Sequence, residues 1–161
     1  MDNIKDIKLI KAIKVKKELG DKMKRYLDGL NIIDLISEKH ITLRNEVEKR
    51  WALSEEEEIS HTEAFLLARL SVDRISLAEV ARQAHISRQA MYKCAKKLEE
   101  RGYLNFVVDE EGNKYTQLTD KGRIYCEKSK ALKEEIELEI TARLGEEGMQ
   151  RLKDCLKKEW I

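Results

Sequence analysis

The sequence predicts a mainly α-helical chain carrying one small β-hairpin, and three observations predict it. Charged residues make up 39% of the 161 positions, proline is absent, and Lys, Glu, Leu and Ile are abundant, a mix that favours solvated helices. Apolar residues recur at helical spacing along most of the chain. From Tyr103 to Leu118 the pattern changes to aromatic and β-branched alternation around a turn-rich stretch, Asp109-Glu110-Glu111-Gly112-Asn113.

Asp2 to Leu19 is the first expected helix. Ile4, Ile7, Ile10 and Ile13 repeat every third residue, Val15 and Leu19 follow, and Gly20 punctuates the run. Two roles compete for it: a basic amphipathic helix lying on a membrane or on DNA, or an oligomerisation arm whose lysines are its solvated face. The segment lacks Trp and Phe, the usual lipid anchors, and this favours the arm. Asp21 to Leu53 is a long helical region with a kink expected near Gly29 or His40. Its apolar set is Tyr26, Leu27, Leu30, Ile33, Ile36, Ile41, Leu43, Val47 and Trp51. The acidic run Glu55 to Glu58 reads as a charged helix end or loop.

Ser60-His61-Thr62-Glu63 and Ser76-Leu77-Ala78-Glu79 both have capping-box form, each opening a helix. From Leu77 to Leu98 the chain reads as two short helices joined by a tight turn, with Ser87 capping the second. Leu77, Val80, Ala84, Ile86, Met91, Cys94 and Leu98 are expected to form one buried cluster, and Ala81 is small enough for the helices to approach closely. Ser87, Arg88, Gln89, Tyr92, Lys93, Lys96 and Lys97 are left facing outward, and none is acidic. That layout is a helix-turn-helix, whose second helix enters the major groove of DNA. Gly102 is a natural stop, because glycine accepts the left-handed conformation of a helix end. A helix-turn-helix followed directly by a hairpin is a winged helix. Thr119 can cap the next helix, which carries Ile124, Tyr125, Leu132, Ile136, Ile140 and Leu144. Gly145 and Gly148 are expected to break it before a last amphipathic helix with Met149, Leu152, Leu156 and Trp160.

The order of elements and four segments resemble the MarR family of winged-helix transcription regulators. The segments are Ser76-Leu77-Ala78-Glu79-Val80-Ala81, Ile86-Ser87-Arg88-Gln89, Leu98-Glu99-Glu100-Arg101-Gly102-Tyr103-Leu104 and Leu118-Thr119-Asp120-Lys121-Gly122. The likeness covers roughly Glu63 to Glu127, and Asp2 to Leu19 looks like an extension beyond the usual core. It implies an obligate homodimer whose N- and C-terminal helices interlock, with two recognition helices placed in successive major grooves. It also implies a small phenolic or lipophilic effector between the dimer helices and the winged-helix lobe. One departure matters: the family's wing usually carries arginine with aspartate, whereas this tip has three acids and no arginine, leaving Lys114 to reach a phosphate. His85 stands in the turn between the two short helices, where a His tolerates a left-handed backbone at modest cost.

The expected division is 1–58 as an N-terminal dimerisation region, 59–122 as the winged helix-turn-helix and 123–161 as C-terminal dimerisation helices. The candidate DNA-binding residues are Ser76, Ser87, Arg88, Gln89, Tyr92, Lys93, Lys96, Lys97 and Lys114. Arg pairs in bidentate fashion with guanine and Gln with adenine, so Arg88 and Gln89 are the candidate base readers. The expected function is a cytoplasmic, homodimeric, sequence-specific transcription regulator, a repressor released by a small molecule. The alternative is a winged-helix protein-interaction module with weak DNA binding, which the acidic wing and the net charge of +1 favour. His40, His61 and His85 share no ligand spacing, and Cys94, Cys126 and Cys155 form no C-x-x-C pair, so no metal or other cofactor is expected. No nucleophile–base or phosphate-loop pattern points to an enzyme. No apolar run approaches the ~20 residues needed to cross a bilayer.

Overall fold

A computed structural model describes residues 2–161 except Glu55 and Asn113, without the side chains of residues 2–13 and Lys16. The expected Ile4–Ile13 stripe, the first acid of the acidic run and one wing-tip residue therefore lie outside the described residues. The elements run α1 (Asp2–Asp28), α2 (Ile32–Ala52), α3 (His61–Leu70), α4 (Leu77–Gln83), α5 (Arg88–Glu100), β1 (Leu104–Val108), β2 (Lys114–Leu118), α6 (Asp120–Leu144) and α7 (Glu146–Leu156).

By internal packing the chain divides into two units, Met1–Glu48 and Lys49–Ile161, with α2 running through the boundary. In the first unit the expected stop at Gly20 is corrected, because α1 continues to Asp28. An interior glycine weakens a helix by only ~1 kcal/mol, and the Lys, Glu, Leu and Met around it are strong helix formers. The break falls at Gly29, as one of the two expected sites, and not at His40, which lies inside α2. Asn31 sets the restart: its Oδ1 accepts from the Ile33 and Asp34 amides at 2.9 and 3.1 Å.

The second unit holds the core. Leu66 and Leu67 of α3, Val80 and Ala81 of α4, Met91, Ala95 and Leu98 of α5, and Tyr103, Leu104 and Leu118 around the hairpin form one buried cluster. The expected helix-turn-helix members Leu77, Ala84, Ile86 and Cys94 pack against it half-buried. β1 and β2 pair antiparallel with Leu104 opposite Leu118, Phe106 opposite Thr116 and Val108 opposite Lys114.

Four side-chain caps punctuate this unit. Ser60, Ser76, Ser87 and Thr119 accept from the amides of Glu63, Glu79, Ala90 and Gly122. A cap of this kind stabilises a helix by ~1 kcal/mol. Ser60 and Glu63 make the full reciprocal box, whereas Glu79 is drawn instead to Arg82 and Gln83, so the second box is half formed. α4 and α5 end alike. Ile86 N–H donates to Ala81 O (3.0 Å) and Tyr103 N–H to Leu98 O (2.9 Å), each closing over a left-handed residue. Those residues are His85, with φ +53°, and Gly102, with φ +77°. Gly145, with φ +75°, ends α6, but Gly148 lies inside α7, so only one of the two expected breaks is real.

Gly102 and Gly122 are glycines for different reasons. A Cβ at Gly102 would meet open space, and only its backbone angle resists a side chain. A Cβ at Gly122 would lie 2.1 Å from the Tyr103 carbonyl oxygen, so α6 can approach the hairpin only without one. Gly102→Ala is expected to destabilise the fold by ~1–2 kcal/mol through the left-handed backbone. Gly122→Ala is expected to destabilise it by ~1–3 kcal/mol or more through overpacking. Urea unfolding of the two variants beside the wild type measures both.

Candidate nucleic-acid interface

α5 is thirteen residues long and sharply two-sided. Met91, Ala95 and Leu98, spaced i, i+4, i+7, are fully buried. Burying a side chain such as Met91 or Leu98 contributes ~1.5–3 kcal/mol, whereas an exposed ion pair contributes ~0–1 kcal/mol. The apolar anchors therefore set the rotation of α5, and they turn Arg88, Gln89 and Lys93 into solvent. Among the described residues, no carboxylate pairs with Arg88, Gln89 or Lys93. A concave groove of about 520 Å³ lies beside the start of α5 and brings together Ser76, Arg82, Ser87 and Arg88. The hydroxyls of Ser76 and Ser87 accept their capping bonds and keep an O–H to donate.

The remaining candidates are not equivalent to these. Tyr92 is half exposed, its ring 5.6 Å from that of Phe106 on β1. Lys96 is half-buried: its ammonium sits 4.5 Å over the Phe106 ring and 2.7 Å from Glu99. Lys97 is exposed but stands apart from them. It follows Arg88 by nine residues, two and a half turns, and so sits on the opposite side of the helix from it. There its ammonium lies 3.2 Å from Glu63 of α3. Lys114 is exposed at the far end of β2, as expected.

Two features went unread in the sequence. One is Arg74, in the loop before α4, which reaches the hairpin: it donates to Asp109 at 2.7 Å and lies 3.8 Å over the Tyr115 ring. One of the three wing acids thus holds an arginine from elsewhere in the chain. The other is a cluster of charges at the C-terminal end of α5. Burial opposes the charge of Glu63, but hydrogen bonds from Ser60 and the nearby Lys97 and Arg101 outweigh it and lower its pKa. Hydrogen bonds from Lys121, Tyr103 and Arg101 pull Glu57 down to about 2. The signal for this cluster was the acidic run itself, which sequence alone left as a solvated stretch.

A cleft of about 840 Å³ opens between α3, β2 and α6, with Ser71, Arg74, Tyr115, Thr116, Tyr125 and Ser129 on its walls. Thr116 Oγ1 is buried there without a hydrogen-bond partner. Tyr125 lines it, whereas Trp51 packs edge-on against Tyr125 at 5.0 Å and Phe65 packs on the core. Among the described residues, no group of three or more His, Cys, Asp or Glu is placed to hold a metal ion, and no helix is long and apolar enough to cross a membrane.

A capped, solvent-facing α5 crossing α4, followed by a two-stranded hairpin, defines a winged helix-turn-helix protein. No sequence-family profile matches the chain, and no curated protein matches it by sequence. Solved structures do match. The Mycobacterium tuberculosis MarR family protein Rv2887 in complex with DNA is 25% identical, with a TM-score of 0.63 over 80% of this chain and 96% of that one. The same protein with salicylic acid is 26% identical, with a TM-score of 0.64 over 81% of this chain and 96% of that one. MepR, a transcription regulator of the Staphylococcus aureus multidrug efflux pump MepA, is 17% identical, with a TM-score of 0.62 over 79% of this chain and 94% of that one. The chain has the winged-helix fold of the MarR-family proteins that it matches.

Burial and the charge of Glu63 push the Cys94 thiol up to about 11, and burial likewise raises that of Cys126. At pH 8 roughly one Cys94 in a thousand is then thiolate, the reactive form. Cys155 is exposed. Iodoacetamide at pH 8, followed by peptide mass mapping, is expected to label Cys155 in the folded protein while leaving Cys94 essentially unmodified.

Proposed function

We propose that the chain is a homodimeric, sequence-specific DNA-binding transcription regulator, a cytoplasmic repressor of a pseudo-palindromic operator. The observation that carries this reading is the outer face of α5: Arg88, Gln89 and Lys93 stand exposed beside a capped helix N-terminus, with no acid among the described residues paired to them. Arg88 and Gln89 read base edges, Lys93 and the Ser76 and Ser87 hydroxyls meet phosphates, and Tyr92 and Lys96 sit at the margin against the wing. Lys114 adds one phosphate contact from the hairpin, and Lys97 is left out of the interface by Glu63.

Pairing is supported by apolar surface. Ile32, Ile33 and Ile41 in the first unit, and Leu138, Leu144, Leu152 and Trp160 in the second, are exposed large hydrophobics. Exposed apolar patches of this kind mark interaction surfaces. In this reading 1–58 and 123–161 join two copies, and 59–122 reads DNA. The cleft with the buried Thr116 hydroxyl is the effector site, its aromatic wall and orphan polar atom suiting a small aromatic molecule with a hydrogen-bonding group.

A second reading, a protein-interaction module with little DNA affinity, is favoured by the acidic wing tip and by the neutralised Lys97. Selection from random duplexes with the purified protein separates the two. The regulator is expected to enrich half-sites one helical turn apart, ~34–36 Å, with affinity falling steeply with salt. Arg88→Ala is expected to weaken operator binding by ~1–3 kcal/mol and to relax selectivity at one position per half-site. Recovery of no preferred duplex, with weak and salt-insensitive binding, would select the interaction module.

A further inference from the structure

The loop after α2 is tied to the far end of α5 by a dense set of bonds. Glu57 Oε1 accepts from Arg101 Nε at 2.7 Å. Its Oε2 accepts from Tyr103 Oη at 2.8 Å and from Lys121 Nζ at 2.9 Å. Arg101, the residue that caps α5, also donates to Glu58 O at 2.6 Å and to Glu63 Oε1 at 3.1 Å. Lys121 donates in turn to Arg101 O at 2.9 Å and sits 4.2 Å over the Tyr103 ring. One carboxylate thus joins three elements, the end of α5, the start of the hairpin and the first turn of α6, and Glu56 beside it pairs with Lys128 further along α6.

The lever arm gives this arrangement its meaning. From Arg101 back to Arg88 is thirteen residues, about 20 Å of helix. A swing of ~5° about the C-terminal end would move the Arg88 backbone by roughly 1.7 Å, enough to break a bidentate contact whose tolerance is a few tenths of an ångström. The hydrophobic anchors Met91 to Leu98 fix the rotation of α5 and much of its tilt, and the bonds to Arg101 add a hold on its C-terminal end beyond the last anchor.

We propose that Glu57 is a positioning residue for DNA reading: it clamps the C-terminal end of α5 and the root of the wing so that Arg88 and Gln89 meet the groove in register. The proposal rests on the DNA-reading function given above. It has an electrostatic signature that a plain charge effect cannot imitate. Removing an acid from a DNA-binding protein strengthens binding to any duplex, because repulsion of the phosphates falls. Removing a clamp weakens binding to the right duplex only.

The test uses the full-length protein and two duplexes, the selected operator and a scrambled sequence of equal length. In E57Q the affinity for the operator is expected to fall about tenfold while that for the scrambled duplex holds or rises. Y103F, which removes one of the three bonds, is expected to show the same change at smaller size, and it stands in for E57Q should that variant unfold. Hydrogen–deuterium exchange without DNA gives an independent reading: the amides of the last turn of α5, Gly102 and Tyr103 are expected to exchange faster in both variants. An unchanged operator-to-scrambled ratio in a wild type that discriminates overturns the proposal. Should the wild type not discriminate, the regulator reading itself fails, and unchanged exchange would then overturn the clamp as well.

Discussion

The fold turns on the burial of one side of a thirteen-residue helix. Met91, Ala95 and Leu98 enter a core already closed by Leu66, Leu67, Val80 and Leu104, and none of them retains surface. Interiors are packed tightly enough that such positions admit little change in volume. Once those residues are placed, the polar side of α5 has no choice of direction. The exposed cationic face is a by-product of packing, which is why it can hold Arg88 and Lys93 with no acidic partner among the described residues at little cost in stability.

Around that core the backbone is closed by local chemistry. The two left-handed residues, His85 and Gly102, end the two helices of the helix-turn-helix in the same way, so the chain turns sharply into α5 and sharply out of it. Gly122 then lets α6 touch the hairpin through the Tyr103 carbonyl. The root of the wing is thus held on one side by backbone contact and on the other by the Glu57 cluster, and Arg74 ties Asp109 nearer its tip to the lobe.

Charge has a different distribution from the one that composition suggests. A net charge of +1 conceals a lobe in which acids are used to hold cations in place: Glu63 takes Lys97 and Arg101, Glu57 takes Arg101 and Lys121, and Asp109 takes Arg74. Arg88 and Lys93 are left over. Near-neutral totals therefore do not argue against a nucleic-acid surface, because what matters is which cations remain uncommitted after folding.

Local signals carry most of what could be read in advance. Ser60, Ser76, Ser87 and Thr119 announced their helices because capping is a matter of three or four neighbouring residues, and the change from helical to alternating period announced the hairpin. The spacing of Met91, Cys94 and Leu98 indicated in the sequence which face of α5 would be outward, though it is Ala95, one residue on from Cys94, that is fully buried. Gly20 and Gly148 misled as breakers because a glycine inside a run of strong helix formers costs a helix only ~1 kcal/mol, and whether the chain turns there depends on how the next residues pack. The partners of Lys97, Arg74 and the acidic run lie 34, 35 and 43 to 72 residues away along the chain. Sequence could not pair them, because side chains so far apart meet only after the core has brought their helices together; the tertiary structure alone decided which charges hold the lobe and which stay in solvent.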